Sequence, residues 1–374
     1  MHGSKRMPIH EAGDWNTLKN KIVGCLLGGA VGDALGAAVE FNSSQEIQER
    51  FGSCGIRDFA SIYGREGAIT DDTQMSLFTA EGLMRAQNRW LDRGLCHVPG
   101  AIHRAYLRWL LTQSETPKYS ELFYDETDDS LLDPGWLYAL PALHNRRAPG
   151  NSCLSSLKSG VCGSIEEPIN NSKGCGGVMR VAPVGLAGKE ENVFDLACDA
   201  AAITHGHPSG YLAAGILGVV IFHIVSGVHL EEAIFIGLSK TKGLHQSEEI
   251  RTAVWRAVDE AKSGQPSLQK IESLGKGWIA EEALAISLYC ALVADNFEEG
   301  VILAVNHGGD SDSTGAITGN ILGAIYGRNE IPERWLIKLE LRNEIERVAK
   351  DLHRYFRTDK HVLNEEEYER YPPN

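Results

Sequence analysis

Two acidic clusters carry the side chains best suited to hold hard metal ions. One runs from Thr70 to Thr73 and the other from Asp310 to Thr314, and each directly precedes a helical pattern. Carboxylates and hydroxyls suit Mg²⁺ or Mn²⁺ better than Zn²⁺. Because Asp, Ser and Thr are also preferred helix caps, either cluster taken alone is better explained as a cap. Asp71 and Asp72 could each hold a separate ion, with Asp310 and Asp312 closing the site from the other side.

A glycine-rich segment, Asn170 to Gly185, has the composition of an anion-binding loop. Its glycines would leave backbone amides free to cradle a phosphate, and Lys173 and Arg180 could add positive charge. The segment lacks the G-x-x-x-x-G-K-[ST] pattern of a P-loop. A lone glycine-rich loop is more often a simple turn.

Histidines and cysteines are weaker candidates. His205 and His207 follow a helical run and could contact a ligand, although packing histidines explain them equally well. None of the eight cysteines forms a C-x-x-C pair, and several lie in apolar helical patterns. The cysteines are therefore predicted to be reduced core thiols rather than a soft-metal site.

The elements that position these residues are predicted to be helices. Glycines recur every four residues from Gly24 to Gly36, which places them on one helix face where a neighbouring backbone can approach closely. A similar run of small residues covers Gly315 to Gly327. Lys21, Asp33 and Glu40 favour a tightly packed soluble helix over a membrane dimerisation motif.

Helical periodicity dominates the rest of the chain, and no series of alternating strands is evident. The fold class is predicted to be all-α, with one compact multi-helix domain. The turn-rich stretch Gln113 to Asn170 is a candidate functional loop. Apolar residues with helical spacing mark Thr73–Ala86, Ala101–Thr112, Val193–Thr204, Tyr211–Val225, Leu230–Leu238, Glu248–Ala261, Ala280–Asp295 and Glu333–Phe356.

Composition excludes several classes of protein. The 374 residues are 43% hydrophobic and 23% charged, which is a globular balance rather than that of a disordered chain. A net charge of −14 argues against a nucleic-acid binder and against docking on anionic membranes. The N-terminus has no signal-peptide pattern, and the longest apolar run, Tyr211 to Val225, is shorter than the ~20 residues of a membrane span. A cytoplasmic protein is expected.

Six segments, taken in order from about Ile22 to Tyr326, resemble the ADP-ribosylglycohydrolase family. The resemblance implies a compact all-α domain with two divalent ions, Mg²⁺ or Mn²⁺, at the bottom of an ADP-ribose cleft. The segments are GCLLGGAVGDALGAAVEF, GAITDDTQM, NSKGCGGVMRVAPVG, THGHPSGY, GKGWIAEEAL and GGDSDSTGAITGNILGAIYG.

The resemblance assigns a role to each candidate. The family's first metal segment matches Thr70, Asp71 and Asp72. Its second matches Asp310, Asp312 and Ser313, and Ser313 stands where the family often has Thr. Glu40 matches a mobile active-site glutamate, and Asp33 matches a position with a structural or supporting role. Residues beside the ligand would be Gly174, Cys175, Gly176, Gly177 and His205.

The implied reaction is hydrolysis of the bond between C1″ of ADP-ribose and an acceptor, through an oxocarbenium-like transition state. The ions would hold the distal ribose hydroxyls and activate the attacking water. The carboxylate that takes the proton would be Asp310, Asp72 or Glu40. The acceptor is predicted to be arginine on a modified protein, while a serine-directed enzyme and one acting on free metabolites stay open.

Residues 1–20 are predicted to be an N-terminal extension, residues 21–357 the catalytic domain and residues 358–374 a frayed tail. An alternative function is an immunity protein that neutralises an ADP-ribosylating toxin, by hydrolysis or by physical blocking. The extension, with His10 and Trp15, would be the blocking arm, although simple packing that extends the first helix is the favoured interpretation. Intact metal ligands argue against a third possibility, a non-catalytic ADP-ribose binder.

Overall fold

The computed structural model describes residues 15–118, 134–358 and 364–373, and over these residues it confirms the all-α prediction. They form eighteen α-helices and no β-strand. The helices are α1 (Trp15–Gly36), α2 (Ser44–Phe51), α3 (Asp71–Arg93), α4 (Val98–Thr112), α5 (Gly135–Tyr138), α6 (Asn151–Lys158), α7 (Ala182–Ala187), α8 (Val193–Ala202), α9 (Pro208–Val225), α10 (Leu230–Lys240), α11 (Glu248–Lys262), α12 (Leu268–Leu274), α13 (Ala280–Val293), α14 (Phe297–Val305), α15 (Ser311–Tyr326), α16 (Glu333–Leu336), α17 (Arg342–Phe356) and α18 (Glu365–Arg370).

The centre of the fold is an antiparallel contact between α1 and α15, made almost without side chains. A Cβ atom on Gly28 would lie 2.3 Å from the carbonyl oxygen of Gly319, and one on Gly32 would lie 1.9 Å from that of Gly315. Real Cβ contacts are essentially never shorter than 3.0 Å. The two glycine runs found in the sequence are therefore each other's packing partners.

This pairing decides where the chemistry lies. Because the two helices are antiparallel, the C-terminal end of α1 lies against the N-terminal end of α15: a Cβ on Gly36 would lie 2.2 Å from the carbonyl oxygen of Ser311. Asp33 and Glu40 at the end of α1 are thereby brought to Asp310 and Asp312 at the start of α15.

The remaining helices surround this pair. Helix α9 is apolar along its length because it is a core helix. It is long and apolar enough to cross a membrane by length and composition, but 83% of its 18-residue window is buried inside the fold. The predicted run Tyr211–Val225 is the greater part of this helix.

The long helix predicted over Glu333–Phe356 is two helices, and the prediction of one continuous element was wrong. The chain turns between α16 and α17 at Leu341, which has a left-handed φ of 53°. The turn lets Glu340 reach back to Arg147 and to the backbone amide of Ile69, 3.2 Å away. Tertiary contacts of one buried carboxylate thus override a helical sequence pattern.

The turn-rich stretch Gln113–Asn170 contains two short helices, α5 and α6, within its described part. One other expectation needs correction. The predicted frayed tail carries α18, and Tyr371 beyond it is fully buried, with its hydroxyl donating to Asp351 at 2.8 Å. The tail is held because an aromatic side chain fills a core site.

The structure describes only the last residues of the predicted N-terminal extension. Helix α1 begins at Trp15, so the last residues of the predicted extension 1–20 are helical. His10 and the side chain of Trp15 lie outside the described residues.

Candidate functional site

Residues from several helix ends and from the loops between helices line a cavity of about 210 Å³. The start of α3 and the start of α15 each contribute an acidic cluster, and the turn after α1 contributes Glu40. The lining residues are Glu40, Asp71, Asp72, Ala148, Gly150, Asn151, Ser152, Cys153, Gly174, Cys175, Gly176, Met179, His205, Trp278, Asp310, Asp312 and Ser313. The cavity lining therefore includes every site residue predicted from the sequence except Thr70 and Gly177.

Asp33 fixes the first acidic cluster in place. Its carboxylate accepts hydrogen bonds from the backbone amides of Thr70 (3.0 Å) and Thr73 (3.2 Å) and from both threonine hydroxyls. It thus binds the N-terminal amides of α3, where a negative charge is favoured. Its supporting role, which the resemblance implied, now has a physical basis.

The hydroxyl of Thr70 caps α3. Its oxygen accepts from the amide of Asp72 at 3.3 Å while the hydroxyl donates to Asp33 at 2.8 Å. Burial raises the pKa of Asp312, and a hydrogen bond from Thr70 opposes part of that rise, which places the hydroxyl beside both acidic clusters. Thr70 is therefore both the helix cap expected from its residue type and a neighbour of the proposed metal ligands.

Carboxylates crowd the floor of the cavity. One oxygen each from Glu40, Asp310 and Asp312 lies within 4.8 Å of the others, which is a spacing that one cation can bridge. Glu40 Oε2 and Asp72 Oδ1 are buried without a hydrogen-bond partner. Because an unpaired buried carboxylate is costly, this arrangement needs a positive charge or bound protons.

The pKa shifts have the direction that this crowding requires. Burial, followed by the charge of Asp312, raises the pKa of Glu40 to about 10 and that of Asp33 to about 7. The same two causes, in the same order, raise the pKa values of Asp71, Asp72 and Asp310 well above the ordinary range. A divalent cation would lower all of these pKa values by replacing protons.

The glycine-rich loop forms one wall of the cavity through a short 3₁₀ turn, Cys175–Gly177. Gly174 pairs with Ile279 in an isolated bridge that ties the loop to the start of α13. A Cβ on Gly176 would lie 2.8 Å from Cys153 Sγ and 3.0 Å from the ring of His205, so only glycine fits there. At Gly174 and Gly176 the loop therefore places backbone without a side chain against the cavity.

His205 lies directly behind that loop. Its Nδ1 pairs with the Thr204 hydroxyl at 2.9 Å, and burial, aided by Arg180, lowers its pKa to about 3. The imidazole is therefore neutral and can offer only a neutral hydrogen bond to a ligand.

One thiol group and one hydroxyl group complete the floor of the cavity. Cys175 Sγ donates to Asp310 Oδ2 at 2.7 Å. The Ser313 hydroxyl faces the sulfur atoms of Cys175 (3.5 Å) and Met179 (3.9 Å). Cys175 is thus a cavity residue, in contrast to the general prediction of core thiols.

Three predicted contributors lie elsewhere. Lys173 is paired with Glu249 and Glu281, each at 2.5 Å, and does not line the cavity. Arg180 is buried beneath the loop, where it donates to the Ala200 carbonyl and the Thr204 hydroxyl. His207 caps α9 by accepting from the Ser209 amide. The prediction that Lys173 and Arg180 add positive charge for a phosphate was wrong, because each of these side chains is held by other partners.

Several other lining residues have no individual signal in the sequence. Asn151, Ser152 and Ala148 come from the long stretch that was marked as a candidate functional loop, and the Gly150 amide donates to Asp71 at 3.3 Å. Trp278 stacks on Phe41, with ring centroids 5.8 Å apart, at the cavity's edge.

Comparisons with known proteins identify the family. A family model described as ADP-ribosylglycohydrolase matches residues 14–361. The chain is 28% identical to the ADP-ribosyl-[dinitrogen reductase] glycohydrolase of Rhodospirillum rubrum, covering 88% of this chain and 94% of that protein. It is 24% identical to an ADP-ribosylarginine hydrolase of Serratia proteamaculans, covering 89% of this chain and 79% of that protein.

A solved structure shares the fold. It is described as an ADP-ribosylglycohydrolase-related protein complex, with a TM-score of 0.65 and 28% identity over 91% of this chain and 99% of that chain. The family match extends over nearly the whole chain and includes both acidic clusters and the glycine-rich loop. The chain therefore belongs to the ADP-ribosylglycohydrolase family and is a hydrolase of N-glycosidic ADP-ribose bonds.

Proposed function

We propose that this enzyme is metal-dependent and removes ADP-ribose from modified arginine side chains of proteins, using two divalent ions, Mg²⁺ or Mn²⁺. The observation that carries the proposal is the buried group of carboxylates at the meeting point of α1, α3 and α15, two of whose oxygens have no partner. The metal dependence of the family supports it.

The residues present fit a hard divalent cation. All the donors are carboxylate or hydroxyl oxygens, as Mg²⁺ and Mn²⁺ prefer. The residues that would hold the ions are Thr70, Asp71, Asp72, Asp310, Asp312 and Ser313. When bound, such ions supply Lewis-acid polarisation and orient hydroxyl groups.

The protein's own groups would do the rest of the work. Asp310, Asp72 or Glu40 would take the proton from the attacking water, since each places carboxylate oxygen at the cavity. Amides of the Gly174–Gly177 loop would receive the phosphates. His205, neutral and held by Thr204, would support the loop and the ligand beside it.

Arginine is the proposed acceptor because the Serratia proteamaculans relative is named as an ADP-ribosylarginine hydrolase. Release of ADP-ribose from arginine-modified and serine-modified proteins, with Mg²⁺ or Mn²⁺ and with a chelator, tests this. We expect release from arginine only, and none in chelator. Release from serine alone would reject the arginine assignment and leave the family intact.

A matched pair of variants tests the metal proposal. Asp312→Asn removes a charge from the cavity, whereas Asp195→Asn removes one from the exposed face of α8. Only the first should lose both activity and Mn²⁺ binding, measured by calorimetry. Equal behaviour of the two variants would refute the proposed ligand set.

Other predictions stay as proposals. The catalytic domain is proposed to span residues 21–357, and the protein to act in the cytoplasm. The immunity role rests on an N-terminal arm whose residues 1–14 lie outside the described part of the chain. Deleting Met1 to Asp14 and measuring hydrolysis and protection from a cognate toxin tests it.

A further inference from the structure

A second, outer cavity adjoins the site. It measures about 570 Å³ and shares two lining residues, Glu40 and Trp278, with the inner cavity. The inner cavity, about 210 Å³, is smaller than most ligand pockets and holds only part of an ADP-ribosylated substrate. Whatever leaves the reaction centre past Glu40 therefore enters the outer cavity.

The outer cavity has the wrong charge for a phosphate. Three glutamates, Glu40, Glu46 and Glu272, line it together with one lysine, Lys276. Glu46 and Glu272 are exposed on the rim, and hydrogen bonds from Ser43 hold the pKa of Glu46 below its ordinary value. Glu40 lies at the boundary between the cavities and is 94% buried, and its Oε2 atom has no hydrogen-bond partner.

A planar aromatic surface completes this cavity. Phe41 and Trp278 are stacked at an interplanar angle of 18° and remain 71% and 40% exposed. Planar cations such as guanidinium groups bind over aromatic faces, and they form ion pairs with carboxylates. The combination of an acidic rim and aromatic rings matches a guanidinium and disfavours a diphosphate.

We infer that the outer cavity is the acceptor subsite, which holds the guanidinium and side chain of the modified arginine between the Phe41–Trp278 pair and Glu272. This inference rests on the proposed arginine activity and adds the residues that recognise the acceptor. The diphosphate and adenosine then lie on the other side, along the Gly174–Gly177 loop.

Two variants outside the inner cavity test the subsite. Glu272→Gln removes a rim charge and Phe41→Leu removes an aromatic face. A rim ion pair and an exposed cation–π contact are each weak, so we expect each variant to lower kcat/KM for ADP-ribosylarginine by about two- to fivefold, and the double variant by about tenfold. The inhibition constant of free ADP-ribose should stay unchanged, while that of agmatine, a free guanidinium probe, should rise.

Matched controls are Glu231→Gln and Trp255→Ala, an exposed glutamate and a 40% exposed tryptophan outside both cavities. If the double variant weakens the binding of ADP-ribose instead of that of agmatine, the outer cavity binds the nucleotide and the inference is overturned. Unchanged constants for both probes would also overturn it. If the wild-type enzyme releases nothing from modified arginine, the proposed function itself fails, and that result is separate from either outcome of the variants.

Discussion

The glycine contact between α1 and α15 makes a sharp prediction about the link between packing and catalysis. Gly32→Ala would place a methyl group 1.9 Å from the Gly315 carbonyl oxygen. Ordinary contact begins at 3.4 Å, so the helices must separate by about 1.5 Å at this point. A backbone carbonyl group cannot move away from the added methyl group as the end of a flexible side chain can. The overpacking costs about 1–3 kcal/mol, of which higher helix propensity returns up to about 1 kcal/mol.

Catalysis should suffer more than stability. Gly32 precedes Asp33, and its partner Gly315 follows the Asp310–Ser313 cluster by a single turn. A separation of about 1 Å in a catalytic constellation can cost roughly 100-fold in rate. We therefore expect kcat/KM to fall by about 100-fold at a temperature where the variant is still folded.

Gly24→Ala is the matched control, because it creates the same kind of clash at the other end of the pair. Its methyl group would lie 2.4 Å from the Gly323 carbonyl oxygen, two helical turns from Gly32. Urea unfolding and kcat/KM should be measured for both variants. Similar destabilisation with a much smaller loss of activity is expected for Gly24→Ala. Equal activity losses, or a fully active Gly32→Ala, would refute the positioning argument.

Three further predictions concern the charges. Asp312→Ala should abolish hydrolysis while the fold stays intact, which circular dichroism checks. It should also raise the stability of chelator-treated protein in thermal unfolding, because it removes repulsion among buried carboxylates. Because the pKa of Glu40 is raised from 4.5 to about 10, the folded state holds a proton that the unfolded state releases. The stability of metal-free protein should therefore fall as pH rises between these values, by at most about 1.4 kcal/mol per pH unit for this group, and Mg²⁺ should flatten that slope in urea titrations. Glu340→Gln should cost about 3 kcal/mol or more, since it leaves Arg147 buried beside a neutral group, and it should also lower activity by freeing Ile69; a small cost in denaturant unfolding would contradict this.

Residue type and spacing predicted the parts of the site that depend on local pattern. Glycines at every fourth position indicate a bare helix face whatever packs on it. Acidic residues before a helical pattern are placed at a helix N-terminus by the helix itself. These features are local, so the sequence is enough to find them.

The remaining features depend on contacts between distant segments. The pairing of α1 with α15 was not predictable from spacing alone, since any run of small residues fits a glycine face. The partners of Arg180 are a carbonyl and a hydroxyl, groups with no sequence signature. The turn at Leu341 occurs at a residue that disfavours a positive φ, and the buried pair of Glu340 with Arg147 imposes it.

The same contacts support the proposal that the site takes a cation from outside the chain. The α1–α15 pair is too close to separate, so the carboxylates at its end cannot move apart to relieve their repulsion. Three basic residues near the cavity are already held: Lys173 by Glu249 and Glu281, Arg147 by Glu340, and Arg180 by Thr204 and a backbone carbonyl. A divalent ion would supply the positive charge that these three do not, and one ion would satisfy several carboxylate oxygens where a proton satisfies one.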